Sequence, residues 1–542
     1  MCVRALIGRT NPVLDVDPDE PEDITEAVCL ESALQDGQMM EVEVGHHNVL
    51  LARCDGVYHA LGNQCTHYGG PLSKGALMGN RIRCPWHGSC FNVRTGDMEE
   101  FPAMDSLPKH KALLLIVKIE DSKVFVSINK KFLKQNKRIK KMSRRTPGNS
   151  HTIMLLGGGS ASLICAETLR QEKYDGRIIM VTRDDLMPYD KTRLSKVMNA
   201  ESSSIMLRKY EFYHQYDIEV WLKKEALSIN TEKQTVTFND GITQCYDQLL
   251  IATGCRAKGL DIPGADLENI MMLEIPADAQ RIHYACMKRR IVLVGTSFVG
   301  MEIAAYMIDR ASSITVIGSS EMPYHKTFGP EIGKFTMTLL EEKGVKFYMN
   351  DFVEEIRGED KKVKDIVLKS GTVIPADVVI VGIGVLPNSE CLQGSNVRMD
   401  VKRFVPVDKY MRTNITNVFC AGDVSTFPLK MAKDQRVNIG HWQQAQAHGR
   451  VAALNMLQKE VGLNSVPVYW TVLLGMTIRY AGFGEGYTEL EVKGNLKDMK
   501  FLALYIKEDR VVAAASLNFD PAVSVVAERL ATGKVISKAE AK

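Results

Sequence analysis

Two short loops carry the residues best suited to bind a metal. Cys65 and His67 are separated by one residue, and Cys84 and His87 follow after a spacer of sixteen residues. Each loop therefore supplies one thiolate and one imidazole, and each carries Gly or Pro beside its ligands. By residue type alone, this set of two Cys and two His allows a structural zinc site.

The order of the ligands favours an iron–sulfur centre instead. The loops read Cys-Thr-His-Tyr-Gly-Gly-Pro-Leu and Cys-Pro-Trp-His-Gly-Ser-Cys-Phe, and in ligand type, spacing and flanking residues they resemble Rieske domains. In that family, two Cys bind one iron of a [2Fe–2S] cluster and two His bind the other. The resemblance implies that the iron ligands are Cys65, His67, Cys84 and His87, with zinc as the alternative.

Four neighbouring positions refine this interpretation. Gly70 and Trp86 stand where high-potential Rieske proteins carry a disulfide, so the loops resemble the ferredoxin-type domains that lack it. The resemblance implies a potential toward the low end of the Rieske range, which begins at about −150 mV. Cys54 and Cys90 lie outside the ligand set, and we expect both to be small buried residues.

Composition sets limits on the kind of protein. A length of 542 residues is enough for three or four domains, and 45% hydrophobic with 25% charged residues is ordinary for a globular protein. A net charge of +3 gives no indication of nucleic-acid binding. The twelve Cys are scattered rather than arranged as a disulfide scaffold, and no apolar run is long enough to span a membrane. We expect an intracellular protein, either cytoplasmic or mitochondrial.

The amino-acid composition changes twice within the first third of the chain. Residues 1–24 are rich in Asp, Glu and Pro and are predicted to be an acidic, solvated tail. Period-two apolar segments broken by Gly and Asp then predict a small all-β domain over residues 25–129. Residues 130–151 begin with a basic run that contains no acid, which predicts a solvated linker.

A dinucleotide-binding pattern starts at Thr152. An apolar strand leads into Gly157-Gly-Gly159-Ser-Ala-Ser162, and a helix and a second strand follow. Gly157 permits the tight turn and Gly159 lets backbone amides approach a pyrophosphate, while the small Ser162 permits close packing of the helix on the strand. Asp184, just past the second strand, is placed to bind ribose hydroxyls.

A second, weaker pattern starts at Arg290. The strand Ile291–Val294 leads into a loop from Gly295 to Gly300, but Ser297 replaces the middle glycine. No acid follows the next strand to select NADH, and no Arg replaces it to bind the 2′-phosphate of NADPH. The choice between NADH and NADPH stays open at this point, and so does weakened nucleotide binding.

Three further apolar strands complete the set. They end in Ala-Thr-Gly254, in Gly-Ile-Gly384 and in Ala-Gly422-Asp423. Together with the two glycine loops they resemble the flavoprotein fold of the pyridine nucleotide reductases. That resemblance implies FAD as cofactor, NADH or NADPH as donor, and contact between Asp423 and the flavin ribityl chain.

The expected architecture is multidomain. An N-terminal all-β Rieske domain precedes α/β domains of the two-dinucleotide-binding, glutathione-reductase-like type, and a small α+β domain ends the chain. After the linker, the FAD-binding domain is predicted to consist of two segments, 152–275 and 400–457. The NAD(P)-binding domain at 276–399 lies between them in the chain, and an interface-type C-terminal domain follows at 458–542.

Details of the sequence indicate the branch of the family. No redox Cys pair lies near either glycine loop, which argues against disulfide chemistry. The run from Pro188 to Lys196 resembles the Pro-Tyr-x-Arg-Pro-x-Leu-Ser-Lys run of ferredoxin reductases that serve Rieske oxygenases and of the apoptosis-inducing-factor flavoproteins. This likeness implies a Lys196–Glu302 pair as the catalytic residues beside flavin and nicotinamide. It also implies that further cofactor contacts come from Lys191, Trp442 and Trp470.

As a whole, the chain resembles the apoptosis-inducing-factor-3-like proteins. That resemblance implies an NAD(P)H-dependent oxidoreductase that passes electrons through FAD to the Rieske cluster and on to an unknown acceptor. The alternatives are a redox-sensing, pro-apoptotic signalling flavoprotein with low turnover and a reductase component for a Rieske oxygenase. The oligomeric state is open, with a homodimer among the candidates.

Overall fold

The computed structural model describes residues 23–108, 115–129 and 136–542. Its N-terminal region is the predicted all-β domain, built from three small antiparallel sheets of order β1-β10-β9, β2-β3-β4 and β5-β6-β7-β8. The strands are β1 Asp23–Leu30, β2 Met39–Val44, β3 His47–Cys54, β4 Val57–Gly62, β5 Ala76–Met78, β6 Arg81–Arg83, β7 Cys90–Asn92, β8 Met98–Glu100, β9 Leu115–Glu120 and β10 Lys123–Asn129.

The two metal-binding loops lie at one end of this domain. One loop follows β4 and the other connects β6 to β7, so short strands anchor both. Cys54 and Cys90 are buried in the domain, as predicted. Strand β1 begins at Asp23, inside the predicted tail, because Asp23 and Ile24 pair with the last residues of β10. The rest of the predicted tail lies outside the described residues.

The described portion of the predicted linker, residues 136–151, is mostly exposed, but it is anchored to the neighbouring domains at several points. Arg138 forms a β-bridge with Ser106 and an ion pair of 2.6 Å with Asp97. Met142 is buried in the core of the next domain, and Ser143 donates a hydrogen bond to the backbone carbonyl of Arg170 in that domain. The anchoring points were not predicted, because the neighbouring domains provide carboxylates and an apolar site that the basic composition does not reveal.

The first dinucleotide-binding unit has a parallel sheet of order β13-β12-β11-β17-β29, with an antiparallel sheet β14-β15-β16 beside it. Its leading strand is apolar after the first residue, Thr152, and buried at all five positions, as a central parallel strand requires. The elements are β11 Thr152–Leu156, α1 Ser160–Gln171, β12 Arg177–Val181, α2 Tyr210–Gln215, β13 Ile218–Trp221, β14 Ala226–Asn230, β15 Thr235–Phe238, β16 Thr243–Cys245, β17 Gln248–Ile251 and β18 Cys255–Ala257.

The second unit repeats the architecture with a parallel sheet of order β19-β26-β20-β21-β22 and an added antiparallel sheet β23-β24-β25. The elements are β19 Ile270–Met271, α3 Pro276–Cys286, β20 Arg290–Val294, α4 Phe298–Met307, β21 Ser313–Gly318, α5 His325–Glu341, β22 Lys346–Met349, β23 Val353–Glu359, β24 Lys362–Leu368, β25 Val373–Pro375, β26 Val378–Val381 and β27 Val385–Pro387.

Both predicted boundaries of this unit differ from the structure by several residues. Strand β19 lies before residue 276, the predicted start of this unit, yet it joins the second sheet. It was not predicted because two residues at the edge of a sheet are too few to show a strand pattern in the sequence. At the other end β27 pairs with β18, and Cys391 and Leu392 already belong to the core of the first unit. The chain therefore returns to the first unit before residue 400.

The remainder closes the first unit and adds the C-terminal domain, a five-stranded antiparallel sheet of order β32-β33-β36-β35-β34. No helix among the described residues is long and apolar enough to cross a membrane. The elements are β28 Val405–Pro406, β29 Val418–Cys420, β30 Ser425–Leu429, β31 Gln435–Val437, α6 Trp442–Met456, β32 Val468–Leu473, β33 Met476–Gly482, β34 Glu489–Asn495, β35 Lys500–Lys507, β36 Arg510–Leu517, α7 Ala522–Ala531 and α8 Lys538–Ala541.

The all-β domain is docked onto the rest of the molecule through buried ion pairs. Arg208 of the first dinucleotide unit donates to Asp105 of the all-β domain at 2.7 Å and to Glu167 of α1 at 2.8 Å. All three side chains are 5% exposed or less. Separating the two domains would break these buried ion pairs and require their charges to be solvated again.

Candidate functional site

A cavity of about 660 Å³ lies where the two dinucleotide units and the C-terminal domain meet. The carboxyl ends of parallel strands open into it, which is where such folds bind their ligands. It brings together most of the residues that the sequence predicted for cofactor binding, namely Gly157, Gly159, Asp184, Lys191, Lys196, Gly254, Glu302, Gly422, Asp423, Trp442 and Trp470.

The first glycine loop has the geometry needed to hold a pyrophosphate. Gly157 has a φ of +121°, and a Cβ there would lie 2.1 Å from the carbonyl oxygen of Ala252, so only glycine fits. Gly159 is the N-cap of α1 and faces open space in the cavity, where a side chain would occupy the cradle. Ser162 is completely buried in α1 and does not line the cavity, so its contribution is packing.

The second glycine loop has nearly the same backbone as the first. Gly295 has a φ of +118°, and Ser297, the N-cap of α4, has a φ of −93° against −94° at Gly159. The serine has therefore not distorted the loop, and its side chain is exposed at the helix N-terminus. Gly295, Gly300 and Gly384 lie outside the cavity lining, so their predicted nucleotide contacts stay predictions.

The predicted catalytic pair is present. Lys196 Nζ lies 2.9 Å from Glu302 Oε2, and Glu302 is only 3% exposed. The hydroxyl of Thr471 donates to the other carboxylate oxygen at 2.9 Å, and Ser195 donates to Oε2. With three donors, the Glu302 carboxylate is fixed in position at the edge of the cavity.

A buried histidine stabilises the Gly422–Asp423 turn. The amide of Gly422 donates to Nδ1 of His448 at 3.2 Å, and His448 is completely buried on α6. Burial lowers the pKa of His448 to about 3, so its ring is neutral and able to accept. Burial raises the pKa of the Asp423 carboxyl, which Lys191 partly offsets.

Sequence reasoning missed several cavity residues, of which His441 is the most informative. Its Nδ1 is buried without a hydrogen-bond partner, and its ring centroid lies 5.7 Å from that of Trp470. Burial lowers its pKa to about 3. Its position immediately before Trp442 was the only available signal. Other lining residues that the sequence did not indicate are Arg183, Lys224, Cys255, Phe298, Asn388, Glu390 and Cys391.

The four predicted metal ligands come together as two pairs. The thiols of Cys65 and Cys84 are buried close enough to interact, which lowers the pKa of Cys65, while burial raises that of Cys84. Nδ1 of His67 lies 3.2 Å from Nδ1 of His87, and burial lowers the pKa of both rings, so they are neutral and able to bind a metal. The residues present therefore fit a centre whose two metal ions take different ligands.

This pairing also bears on the zinc alternative. Among the residues that the structure describes, no three His, Cys, Asp or Glu side chains are grouped as ligands of one metal ion. A Cys₂His₂ zinc site would need all four ligands around a single ion. A Rieske cluster needs one pair of thiolates on one iron and one pair of imidazoles on the other.

The two ligand histidines face the cavity, and one tryptophan, Trp470, lies between the histidines and the cavity. The ring centroid of Trp470 lies 4.2 Å from that of His87 and 5.9 Å from that of His67. Trp470 is 5% exposed and also lines the cavity. Two further contacts hold the loops in place, since Tyr68 donates to Asp190 and Arg479 donates to the carbonyl of Trp86 at 3.0 Å.

Comparison with known proteins agrees with this geometry. Residues 25–111 match the Rieske [2Fe-2S] domain, residues 151–449 match the pyridine nucleotide-disulphide oxidoreductase family, and residues 468–542 match the reductase C-terminal domain. Fold and matches together define a ferredoxin-reductase-like NAD(P)H oxidoreductase that carries a Rieske domain. The cofactors are FAD and a [2Fe–2S] cluster, which excludes the zinc alternative.

The chain belongs to the apoptosis-inducing factor 3 family. It is 44% identical to human apoptosis-inducing factor 3 over 96% of this chain and 86% of that protein. It is 28% identical to the ferredoxin–NAD(+) reductase subunit of the benzene 1,2-dioxygenase system of Pseudomonas putida, over 72% of this chain and 94% of that one. Among solved structures, the covalent putidaredoxin reductase–putidaredoxin complex matches with a TM-score of 0.68 and 25% identity, covering 71% of this chain and 94% of that chain.

Proposed function

We propose that this protein takes electrons from NAD(P)H and passes them within one chain to its own Rieske cluster, which delivers them to a separate acceptor. The observation that carries the proposal is the position of Trp470. The same side chain lines the cofactor cavity and packs against His87, a predicted cluster ligand. A ring in contact with both sites supports a short route between them.

The residues around the cavity have separable roles in this proposal. FAD, when bound, supplies the hydride chemistry and the conversion from two-electron to one-electron transfer. The N-terminus of α1 at Gly159 binds the pyrophosphate, and Asp423 orients the ribityl chain. The Lys196–Glu302 pair fixes the geometry where nicotinamide and flavin meet, and buried Trp470 excludes water between the cavity and the cluster loops.

The docked position of the Rieske domain supports transfer without a diffusional encounter. If the Rieske domain moved freely on its linker, the charges at the interface would be solvated. In the structure, Arg208 is buried and pairs with the buried carboxylates of Asp105 and Glu167. The described portion of the linker is also anchored, through Arg138 and Met142. We therefore treat the flavin-to-cluster step as a transfer between fixed sites.

Anaerobic titration of the purified protein with NADH, and separately with NADPH, tests the proposal. Visible absorbance follows the flavin and low-temperature EPR follows the cluster. We expect the flavin to bleach and a Rieske signal with an average g value below 2 to appear with the preferred nucleotide. A bleached flavin beside a cluster that stays oxidised would refute the proposed route.

A redox-sensing, pro-apoptotic role with low turnover is the second candidate. It is favoured by the second glycine loop, where Ser297 replaces the middle glycine. Slow turnover with a simple acceptor such as ferricyanide, together with nucleotide-dependent partner binding, would favour this role. Fast turnover would favour the oxidoreductase.

The acceptor and the compartment belong to the same proposal. Relatives named as components of dioxygenase systems suggest a redox protein as acceptor, which includes the role of a reductase for a Rieske oxygenase. No two cysteines in the described regions of the chain form a disulfide, which supports an intracellular, reducing compartment, cytoplasmic or mitochondrial. A homodimer stays a prediction that size-exclusion chromatography can check.

A further inference from the structure

A buried charge network lies directly beneath the second cluster loop. Arg83 immediately precedes the ligand Cys84, and its side chain is completely buried. One guanidinium nitrogen donates to the carbonyl of Gly88 in the same loop at 2.8 Å. The other two donate to Glu100 of β8 at 2.5 Å and to Glu528 at 2.6 Å.

Glu528 comes from the other end of the chain, on α7 of the C-terminal domain. Its side chain has no exposed surface, and it lies 3.4 Å from the thiol of Cys90 as well as beside Arg83. Ser524, one turn earlier on α7, donates to the carbonyl of Cys84 at 3.1 Å. Residues four apart share one face of a helix, so a single face of α7 contacts the ligand residue and the arginine before it.

This arrangement gives the C-terminal domain a role at the cluster. The potential of an iron–sulfur cluster depends on nearby charges and on hydrogen bonds around its ligands. Glu528 brings a negative charge into a buried site close to the cluster, where solvent screens it little. Ser524 brings a hydrogen-bond donor to the backbone of Cys84.

We propose that Glu528 and Ser524 are positioning residues that complete the second ligand loop and set the potential of the Rieske cluster. Reduction adds one negative charge to the cluster, so the Glu528 carboxylate opposes reduction and lowers the potential. The Ser524 hydroxyl withdraws electron density from the backbone of Cys84 and raises it. The inference rests on the proposed function only in that the cluster is a working electron carrier.

The test is an EPR-monitored redox titration of the full-length protein with dithionite and mediators. This titration sets the cluster potential without NAD(P)H, so its result does not depend on the proposed flavin-to-cluster route. Glu528→Gln keeps the shape and removes the charge, and we expect the midpoint potential to rise. Ser524→Ala keeps every charge and removes the donor, and we expect the potential to fall.

The opposite signs separate this role from simple loosening of the loop, which would shift both variants in the same direction. Glu528→Asp restores the charge on a shorter side chain, so its potential should return toward that of the wild type although its packing is poorer than in Glu528→Gln. Glu540→Gln removes an exposed carboxylate from the same domain and serves as the control, with no expected shift.

Two results would overturn the inference. One is an unchanged potential in both Glu528→Gln and Ser524→Ala, and the other is a shift of the same sign in both. If Glu528→Gln does not assemble a cluster, Ser524→Ala and Glu528→Asp decide the question. A fall in the first together with a near wild-type potential in the second supports the inference, and any other pair of results refutes it.

Discussion

Glu302 shows how a single carboxylate is held ready at the site. It is buried on α4, yet it receives hydrogen bonds from the Lys196 ammonium and from the hydroxyls of Ser195 and Thr471. These donors come from two separate stretches of the chain, Ser195–Lys196 and Thr471, so the carboxylate has little freedom to move. Such positioning contributes strongly to rate when two reactants must meet in one geometry.

Replacing Glu302 with Ala should therefore slow flavin reduction by NAD(P)H by about 10- to 100-fold, because loss of the carboxylate frees Lys196 to move. FAD should stay bound, since the pyrophosphate cradle at Gly159 is separate. Anaerobic stopped-flow bleaching of the flavin measures the rate. Glu354→Ala, an exposed site on β23, is the control. Unchanged bleaching in Glu302→Ala would remove this residue from the site.

His448 gives a prediction for pH dependence. Its pKa of about 3 in the folded protein lies well below the ordinary value of about 6.5. Below pH 6.5 the unfolded chain therefore binds a proton that the folded protein does not. The free energy of unfolding should fall by up to about 1.4 kcal/mol per pH unit as the pH drops from 6.5 toward 3.

Urea unfolding between pH 6.5 and 4.5 tests this linkage. His448→Gln keeps an acceptor for the amide of Gly422 but cannot titrate, so its stability should fall less steeply with pH than that of the wild type. His47→Gln alters an exposed histidine and should keep the wild-type slope. Equal slopes in wild type and His448→Gln would show that this ring does not contribute.

At the scale of elements, the interface between the Rieske domain and the reductase depends on buried charges rather than on apolar contact alone. Arg208 joins a loop of the Rieske domain to helix α1, and Arg83 joins β6 to helix α7. Each arginine is satisfied by carboxylates from two different elements. Separating the domains would expose these groups, and removing one partner would leave the others buried without compensation.

Arg208→Met should accordingly destabilise the protein by about 3–5 kcal/mol, the cost typical of breaking a buried ion pair. Thermal and urea unfolding of the full-length protein, with flavin release as a second signal, provide the measurement. Arg357→Ala removes an exposed pair with Glu355 and should cost no more than about 1 kcal/mol. A loss at Arg208 as small as that at Arg357 would mean that the interface charges are solvated.

At the scale of the whole molecule, the cofactor cavity and the cluster loops adjoin within one chain, and Trp470 contacts both. The flavin-to-cluster step should therefore be first order, with the same rate constant over about a tenfold dilution of the protein. Double-mixing stopped-flow with EPR or visible detection can measure it. A rate that rises with protein concentration would show transfer between different molecules and contradict the docked arrangement.

Local features of this molecule were predictable from its sequence. Each of these features is a pattern of a few consecutive residues, and its backbone conformation depends on those residues alone. They are the two glycine loops, the two ligand loops and the strand ends at Gly254 and Asp423. Ser297 also shows that residue identity alone does not predict the shape of this loop, because its backbone is nearly the same as at Gly159.

The interfaces were not predictable in the same way. Glu528 reads in the sequence as an ordinary charge on a surface helix, and Arg138 reads as one residue of a solvated basic run. The burial of Glu528 and the ion pairs of both residues depend on partners far away in the chain, such as Arg83 for Glu528 and Asp97 for Arg138. A single sequence contains no periodicity or spacing that links such positions, so only the folded structure reveals them.

The inward orientation of the two ligand histidines has a consequence for the cell. Trp470, buried between the cavity and His87, has no surface left to offer to a second carrier. A free ferredoxin in the same compartment therefore cannot compete for electrons at this contact. In the proposed route, covalent connection rather than binding affinity selects the cluster as the first acceptor, and the choice among separate acceptors falls to the step after the cluster.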